Sequence, residues 1–294
     1  MKQTDWHILR PMTDVSLASK LHLLSDKLAS CLDHPNETAL VLLAYVLGQS
    51  KTWILSHPEV ILAFDQLDQA DTLSERLLAG EPLPYLVGRQ EFFGLDFQVD
   101  PTVLIPRPET ELLVEQALLW LKDHPVAQTA LDVGTGSGCI AISLAVHCPR
   151  LCVTATDNSA QALSVAKRNA QTHKVAENIS FVEADLIPPS IASCNLVCAN
   201  LPYIPTDKLA EVNSLPYEPV SALDGGLDGL ELIRRCLQQA LQVIQRPGLI
   251  LLETEATLGR QTNCLAQRYF PEGKITLMQD LTDRDRLVHI ELEG

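Results

Sequence analysis

The sequence predicts an α/β protein in which a small N-terminal helical domain and a linking β-hairpin precede a doubly wound, mostly parallel sheet. Three observations carry this. Leucines recur at helical spacing through the first part; an alternating run around a glycine follows; beyond Gln128, strand and helix patterns alternate. A chain of 294 residues is long enough for both domains. The domains are expected over residues 1–84 (helical bundle, a docking or packing module), 85–105 (hairpin linker) and 106–294 (α/β domain).

In the first part, Ser16 to Leu32 spaces Leu17, Leu21, Leu24 and Leu28 on one helical face. Asn36 is expected to cap a second helix, Glu37 to Leu47, ending at Gly48. Pro58 is expected to open a third short helix to about Phe64, and Leu67 to Leu78 completes the bundle. Glu91-Phe92-Phe93-Gly94-Leu95-Asp96-Phe97 then reads as the hairpin. Pro106-Arg107-Pro108-Glu109-Thr110-Glu111 starts a helix, with the glutamates favoured by its dipole.

The α/β domain is expected to place strands at Thr129–Val133, Leu151–Thr156, Ile179–Val182, Cys194–Ala199, Leu249–Glu253, Ile275–Gln279 and Leu287–Glu291. Helices are expected over Gly138–His147 and Ser159–Gln171. A later one, with Asp228 and Glu231 at capping-box spacing, runs to about Ile244. The last two strands, with no clear helix between them, read as a closing hairpin that adds an antiparallel strand.

Composition narrows the function. Lys and Arg number 22 against 37 Asp and Glu, a net charge of −15. No basic cluster stands out, so a nucleic-acid partner, whose phosphates need cations, is not expected; a basic protein surface fits better. The eight cysteines form no Cys-x-x-Cys pair and the histidines no His-Glu-x-x-His, so no metal site is expected. Cys194 and Cys198 read as small buried apolar residues. No apolar run reaches the length of a membrane span, and Met1 to Leu21 lacks the apolar stretch of a signal peptide, which favours a cytoplasmic location.

Leu131-Asp132-Val133-Gly134-Thr135-Gly136-Ser137-Gly138-Cys139 runs from strand through a glycine turn into a helix. A dinucleotide site has Gly-x-Gly-x-x-Gly. Here the third glycine comes early, at Gly138, and Cys139 holds the dinucleotide position. This is the spacing of S-adenosylmethionine-dependent methyltransferases. Asp157, about 20 residues on and at the end of the next strand, stands where an acid accepts from ribose hydroxyls. Asp185-Leu186, after the third strand, would meet the adenine.

Asn200-Leu201-Pro202-Tyr203 follows the fourth strand, beside the topological switch point. A planar amide or nucleobase nitrogen is a poor nucleophile because its lone pair is delocalised. Two acceptors, the Asn200 side-chain oxygen and the Leu201 carbonyl, would engage both its N–H bonds and turn the lone pair forward. Pro202 stiffens the loop and Tyr203 offers a flat face. An ordinary Asn-Pro turn is the plain alternative; the preceding glycine loop and Asp157 outweigh it.

Beyond these motifs the chain resembles the peptide chain release factor glutamine methyltransferases (the HemK/PrmC family) over nearly its whole length. The resemblance lies in Leu42–Gly48 with Thr52–Pro58, Gly80–Gly88, Glu91–Gly94 and Val103–Glu111. It continues through the glycine loop, Asn200–Ile204 and Glu218 to Gly229. It implies a Rossmann-like seven-stranded methyltransferase domain that methylates N5 of the glutamine in a Gly-Gly-Gln loop of release factors. Carried over, Gly134, Thr135, Gly136, Ser137, Gly138, Asp157, Asp185 and Leu186 would hold S-adenosyl-L-methionine. Asn200, Leu201, Pro202 and Tyr203 would hold the glutamine, with Asn200 also near the cofactor and residues 106–108 bordering its pocket. A monomer acting on a protein is expected.

Two departures stand out. Leu201 replaces the first proline of the usual Asn-Pro-Pro-Tyr, which keeps a backbone carbonyl but implies a looser loop. Glu253-Thr254-Glu255 replaces a frequent Glu-Ile-Gly, which leaves that turn open. The alternatives are a ribosomal-protein glutamine methyltransferase, an adenine-N6 methyltransferase, which would want a basic surface, and a non-catalytic S-adenosylmethionine-binding regulator, which would lose the acceptor motif.

Overall fold

The computed structural model describes residues 14–191, 193–211 and 216–294. Residues 1–13, on which part of the reading of the N-terminal segment rests, lie outside them. The chain divides into two compact units, Met1–Val87 and Gly88–Gly294.

The first unit is helical. Ser16 accepts from the Ser19 N–H and starts α1 (Leu17–Leu28). α2 (Pro35–Leu47) begins one residue before the expected cap: Pro35 occupies the first helical turn and His34, not Asn36, is the N-cap. It ends at Gly48 in the left-handed conformation, φ 61°. The third helix is displaced. Ser50 caps α3 (Lys51–Ser56), and the segment from Pro58, expected to be helical, runs alongside the start of α1. There the Val60 and Pro58 carbonyls accept from Leu17 and Ala18, two N–H groups that the first turn of α1 leaves without helical partners. α4 (Phe64–Leu78) starts earlier than its apolar spacing indicated, because Gln66 Oε1 accepts from Ala63 N–H at 2.9 Å. A short α5 (Leu83–Val87) closes the unit around Leu17, Leu24, Leu42, Leu43 and Leu73.

The second unit opens with the expected hairpin, β1 (Arg89–Phe92) and β2 (Leu95–Gln98), turned by Phe93 (φ 51°) and Gly94 (φ 71°). Phe92 and Phe97 are fully buried in the same cluster as Trp120 and Leu144. The hairpin is therefore part of this unit's core and not a free-standing linker. A 3-10 turn over Pro108–Thr110 leads into α6 (Glu111–Asp123), and Glu111 Oε1 accepts from Phe93 N–H at 2.7 Å, tying helix to hairpin.

Then follow β3 (Thr129–Val133), α7 (Cys139–His147), β4 (Cys152–Asp157), α8 (Ala160–Thr172), β5 (Ile179–Glu183) and β6 (Cys194–Ala199). After them come α9 (Glu231–Val243), β7 (Ile244–Glu253), α10 (Gly259–Tyr269), β8 (Lys274–Gln279) and β9 (Asp285–Leu292). All seven strands join one sheet, in the order β5-β4-β3-β6-β7-β9-β8. β3 to β7 are parallel, and β9 is antiparallel to both β7 and β8. The closing hairpin is thus as expected; α10, between β7 and β8, is a helix that the sequence reading leaves out, although Leu265, Ala266 and Tyr269 join the apolar cluster on that side of the sheet.

The start of α9 corrects a second cap. Asp228 Oδ1 accepts from Leu230 N–H at 3.1 Å and Oδ2 pairs with Arg234 at 2.7 Å, while Leu230 is the N-cap. The Asp228–Glu231 spacing therefore forms a turn ahead of the helix and no capping box. Apolar side chains fill both faces of the sheet, one cluster around Leu144, Leu196 and Leu251, the other around Leu131, Val197 and Ile250. Among the described residues no helix is long and apolar enough to cross a membrane.

Candidate active site

Strand register builds the site. Val133 pairs with Thr156 on one side and with Ala199 on the other, and Ala199 pairs with Leu252. The residues one step further, Gly134, Asp157, Asn200 and Glu253, consequently stand side by side at the carboxyl edge. The switch point of the sheet lies between β3 and β6, where the chain reverses its direction of growth and ligands bind in such folds.

The glycine loop is held in place by backbone bonds. Gly134 and Thr135 N–H both donate to the Thr156 carbonyl, at 2.9 and 2.8 Å. Gly136 N–H donates to Asp157 Oδ2 and Ser159 N–H to Oδ1, each at 2.9 Å. Asp157 thus joins the loop to the start of α8, and Ser159 caps that helix by accepting from Ala162 at 3.1 Å. Each Asp157 oxygen keeps a lone pair for a ligand. Burial raises its pKa, and the N–H bonds from Ser159, Gly136 and Asn158 oppose that.

The three glycines serve different ends. All have positive φ, 74° at Gly134, 54° at Gly136 and 84° at Gly138. A Cβ on Gly136 would enter open space, so bare backbone faces the cavity there. A Cβ on Gly138 would lie 2.9 Å from Ile142 Cδ1 and 3.1 Å from Ala166 Cβ. Gly138, expected among the cofactor residues, is not on the cavity wall and instead lets α7 and α8 approach.

One cavity gathers the other expected cofactor residues. Gly134 to Ser137, Asp157, Asp185, Leu186 and Asn200 all line it. Leu186 is buried with φ 65°, a left-handed conformation that costs a branched apolar residue about 1–2 kcal/mol. Asp185 pairs with Arg235, which leaves its other oxygen for a ligand. A second cavity includes Asn200, Leu201, Pro202 and Tyr203. Leu104, Arg107, Asn200, Leu201, Pro202 and Ala222 form a wall common to both.

At that wall Asn200 Nδ2 donates to Thr110 Oγ1 at 3.0 Å, and Thr110 Oγ1 donates to Glu253 Oε2 at 2.6 Å. Glu253 is fully buried, and burial pushes its pKa up to about 7, against the opposing bond from Thr110 and the charge of Arg286. Among the described residues nothing donates to Asn200 Oδ1 or to the Leu201 carbonyl, the two acceptors expected to hold a substrate amide. Burial also raises the Tyr203 pKa, so its phenol stays protonated.

Around the tetrapeptide, two features escaped the sequence reading. Ile204 exchanges bonds with Leu223 and Gly225, at 3.0 and 2.8 Å, and Thr206 N–H donates to Gly226. Gly225 and Gly229 have no room for a Cβ: it would lie 2.7 Å from Tyr203 Cα and 2.3 Å from the Tyr203 carbonyl oxygen respectively. The second feature is Glu218, whose buried carboxylate takes Arg107 Nη2 on both oxygens at 2.7 Å. The signal for the glycines is the Gly-Gly…Gly run itself, part of the family resemblance, whose partner no local pattern names.

Asp132, at the end of β3, accepts from the Thr135 hydroxyl at 2.6 Å and from Ala141 N–H at 3.1 Å, while its Oδ1 has no partner among the described residues. Complete burial raises its pKa to about 7. The cysteines are free; Cys139, Cys194, Cys198 and Cys236 are buried, with their thiol pKa raised by that burial. No cluster of three or more His, Cys, Asp or Glu among the described residues could hold a metal ion.

Comparison with known proteins agrees with this geometry. Residues 20–88 match the PrmC N-terminal domain and residues 109–213 the methyltransferase small domain. A release factor glutamine methyltransferase of Chlorobaculum tepidum is 37% identical over 266 residues, 87% of this chain and 90% of that protein. One of Moorella thermoacetica is 38% identical over 263 residues, 88% and 92% of the two. The chain belongs to the release factor glutamine methyltransferase family. The fold is shared more widely: the catalytic domain of hMettl16, solved with a 3′UTR hairpin, superposes with a TM-score of 0.54 at 15% identity, covering 85% of this chain and 90% of that one.

Membership in the release factor glutamine methyltransferase family makes the chain a methyltransferase, and an S-adenosylmethionine-type donor goes with that fold. The two departures from the family pattern now have structures. The Leu201 side chain is buried, 3% exposed, among Leu131, Val133 and Leu230 and against Gly134. Apolar packing thus holds the loop where the family usually has proline. After Glu253, Thr254 N–H donates to the Arg286 carbonyl and its buried hydroxyl meets that of Thr262 at 3.1 Å, which turns β7 toward α10.

Proposed function

We infer that the chain transfers the methyl group of S-adenosyl-L-methionine to N5 of the glutamine in the Gly-Gly-Gln loop of peptide chain release factors. The observation that carries this reading is the pair of acceptors, Asn200 Oδ1 and the Leu201 carbonyl, left without donors at a wall that two cavities share.

The glycine-loop cavity fits the cofactor. Bare backbone at Gly136 and the partly satisfied Asp157 carboxylate offer room and acceptors for a hydroxylated, amine-bearing ligand. Gly134 to Ser137, Asp157, Asp185 and Leu186 would hold S-adenosyl-L-methionine, which supplies an electrophilic methyl group. Gly138 supports them from behind.

On the other side of the wall, Asn200 Oδ1 and the Leu201 carbonyl take the two N–H bonds of the glutamine amide. This favours a more tetrahedral nitrogen with its lone pair forward, and it stabilises the positive charge that grows on that nitrogen. Each such aimed dipole is worth about a hundredfold in rate. Tyr203, held as the neutral phenol, provides a flat apolar wall and not a base. The cationic product nitrogen is acidic enough to lose its proton to water. The family resemblance and the acidic chain favour a protein substrate in the cytoplasm over a nucleic acid, with the chain acting as a monomer.

The test uses labelled cofactor and a release factor, either intact or with its loop glutamine changed to alanine. Label on the intact protein alone is expected. Equal labelling of both, or label on a ribosomal protein or nucleic acid instead, would remove the assignment.

A further inference from the structure

An amide side chain is symmetric in shape, so Asn200 has two orientations of equal size and opposite chemistry: one offers an acceptor to the substrate, the other a donor that would repel its N–H bonds. Something must choose between them. We propose that Thr110 and Glu253 are positioning residues that fix the Asn200 amide with its oxygen facing the substrate. This rests on the reading of Asn200 as the holder of the acceptor amide.

The polarity of the chain follows from its buried end. Once ionised, above a pH of about 7, Glu253 can only accept, so the Thr110 hydroxyl must give it its single proton, at 2.6 Å. Having spent that proton, Thr110 Oγ1 can only accept from Asn200, at 3.0 Å, and only the NH2 side of the amide can supply the bond. Asn200 Oδ1 is then left for the substrate. If Glu253 could donate, the hydroxyl would be free to turn around and the amide to flip.

Burial supports this. Thr110 is 1% exposed and Glu253 2% exposed, so water does not supply alternative partners. The charged and titratable groups facing Glu253 are Arg286 on β9, Arg107 and Glu109 ahead of α6, Cys139 at the start of α7, and Tyr203. Burial and Glu109 oppose the ionised carboxylate, while the Thr110 bond and the two arginines favour it.

The experiment measures release factor methylation by the full chain and by Thr110→Val, Thr110→Ser, Glu253→Gln and the Thr110→Val/Glu253→Gln double variant. Binding of S-adenosylhomocysteine is followed by calorimetry. Thr110→Val removes the hydroxyl at constant size, and kcat is expected to fall at least about tenfold with cofactor affinity within about twofold. Thr110→Ser restores most of kcat. Glu253→Gln, which can donate, lowers kcat comparably, and the double variant falls little further than either single one, because all three break one chain.

Unchanged kcat in Thr110→Val, no recovery in Thr110→Ser, or additive losses in the double variant would overturn the proposal. If Thr110→Val does not fold, the contrast between Thr110→Ser and Glu253→Gln decides: a Glu253→Gln variant with normal kcat overturns it. A wild-type enzyme that fails to label the glutamine would instead overturn the functional reading beneath it.

Discussion

The Tyr203 carbonyl oxygen rests on the bare Cα face of Gly229, so close that a Cβ there would lie 2.3 Å from it. Gly229 also has φ 72°, which disfavours any side chain. Gly229→Ala must therefore shift either its own loop or the acceptor tetrapeptide. We expect a loss of about 1–3 kcal/mol in stability and at least about a tenfold fall in kcat, read by thermal unfolding and a methylation assay. Normal turnover would show that the loop does not set the position of Tyr203.

In the proposed reaction, Asn200→Ala removes an acceptor that acts chiefly when charge builds on the substrate nitrogen. Turnover is expected to fall about a hundredfold or more, while cofactor affinity stays within a few-fold. Steady-state kinetics with calorimetric titration separates the two. A loss confined to cofactor affinity would place Asn200 on the other side of the shared wall.

Leu201 tests whether burial replaces the stiffness of a proline. Leu201→Ala empties a packed site and should cost about 2–5 kcal/mol, measured by denaturant unfolding. Leu201→Pro restores the usual family residue and keeps the carbonyl, so methylation should stay within a few-fold of the wild type. A collapse of activity in Leu201→Pro would mean that the rest of the loop has adapted to leucine.

Burial raises the pKa of Asp132 and of Glu253 to about 7. Each is then protonated in the folded chain at a pH where the unfolded chain has already released its proton. Between about pH 4 and 7 the native state binds more protons, so this contribution to stability falls as pH rises. Glu253→Gln lacks one of the two ionisations. Its melting temperature relative to the wild type should accordingly improve from pH 5 to pH 8, and a constant difference would show that Glu253 does not titrate there.

Local order made much of this legible. Gly134 and Asn200 each follow a strand directly and Asp157 ends one, so finding the strands finds the residues, and the switch point brings them together. Glu253 and Thr110 were not legible as partners. They lie 143 residues apart and meet because α6, which Thr110 precedes, packs against β7, a relationship no local pattern announces. Gly138 shows a related limit: glycine spacing shows where a side chain is missing, but not whether a ligand or a neighbouring helix fills the gap. Helix starts differ at Pro58, where the Pro58 and Val60 carbonyls instead accept from the start of α1, and at Asp228, whose carboxylate turns to Leu230 N–H and Arg234 ahead of a cap.

The register that sets Gly134 beside Asn200 and Glu253 has a consequence for how this enzyme tolerates change. Neighbouring parallel strands keep a separation of about 4.8 Å whatever their side chains. The sheet is thus a ruler, and the gap between the donor loop and the acceptor loop is one graduation of it. Insertions in surface loops, changes in the helical unit and even a new residue at position 201 leave that graduation where it is. Recognition of a different protein partner could be reshaped around such a site with the transfer distance inherited intact.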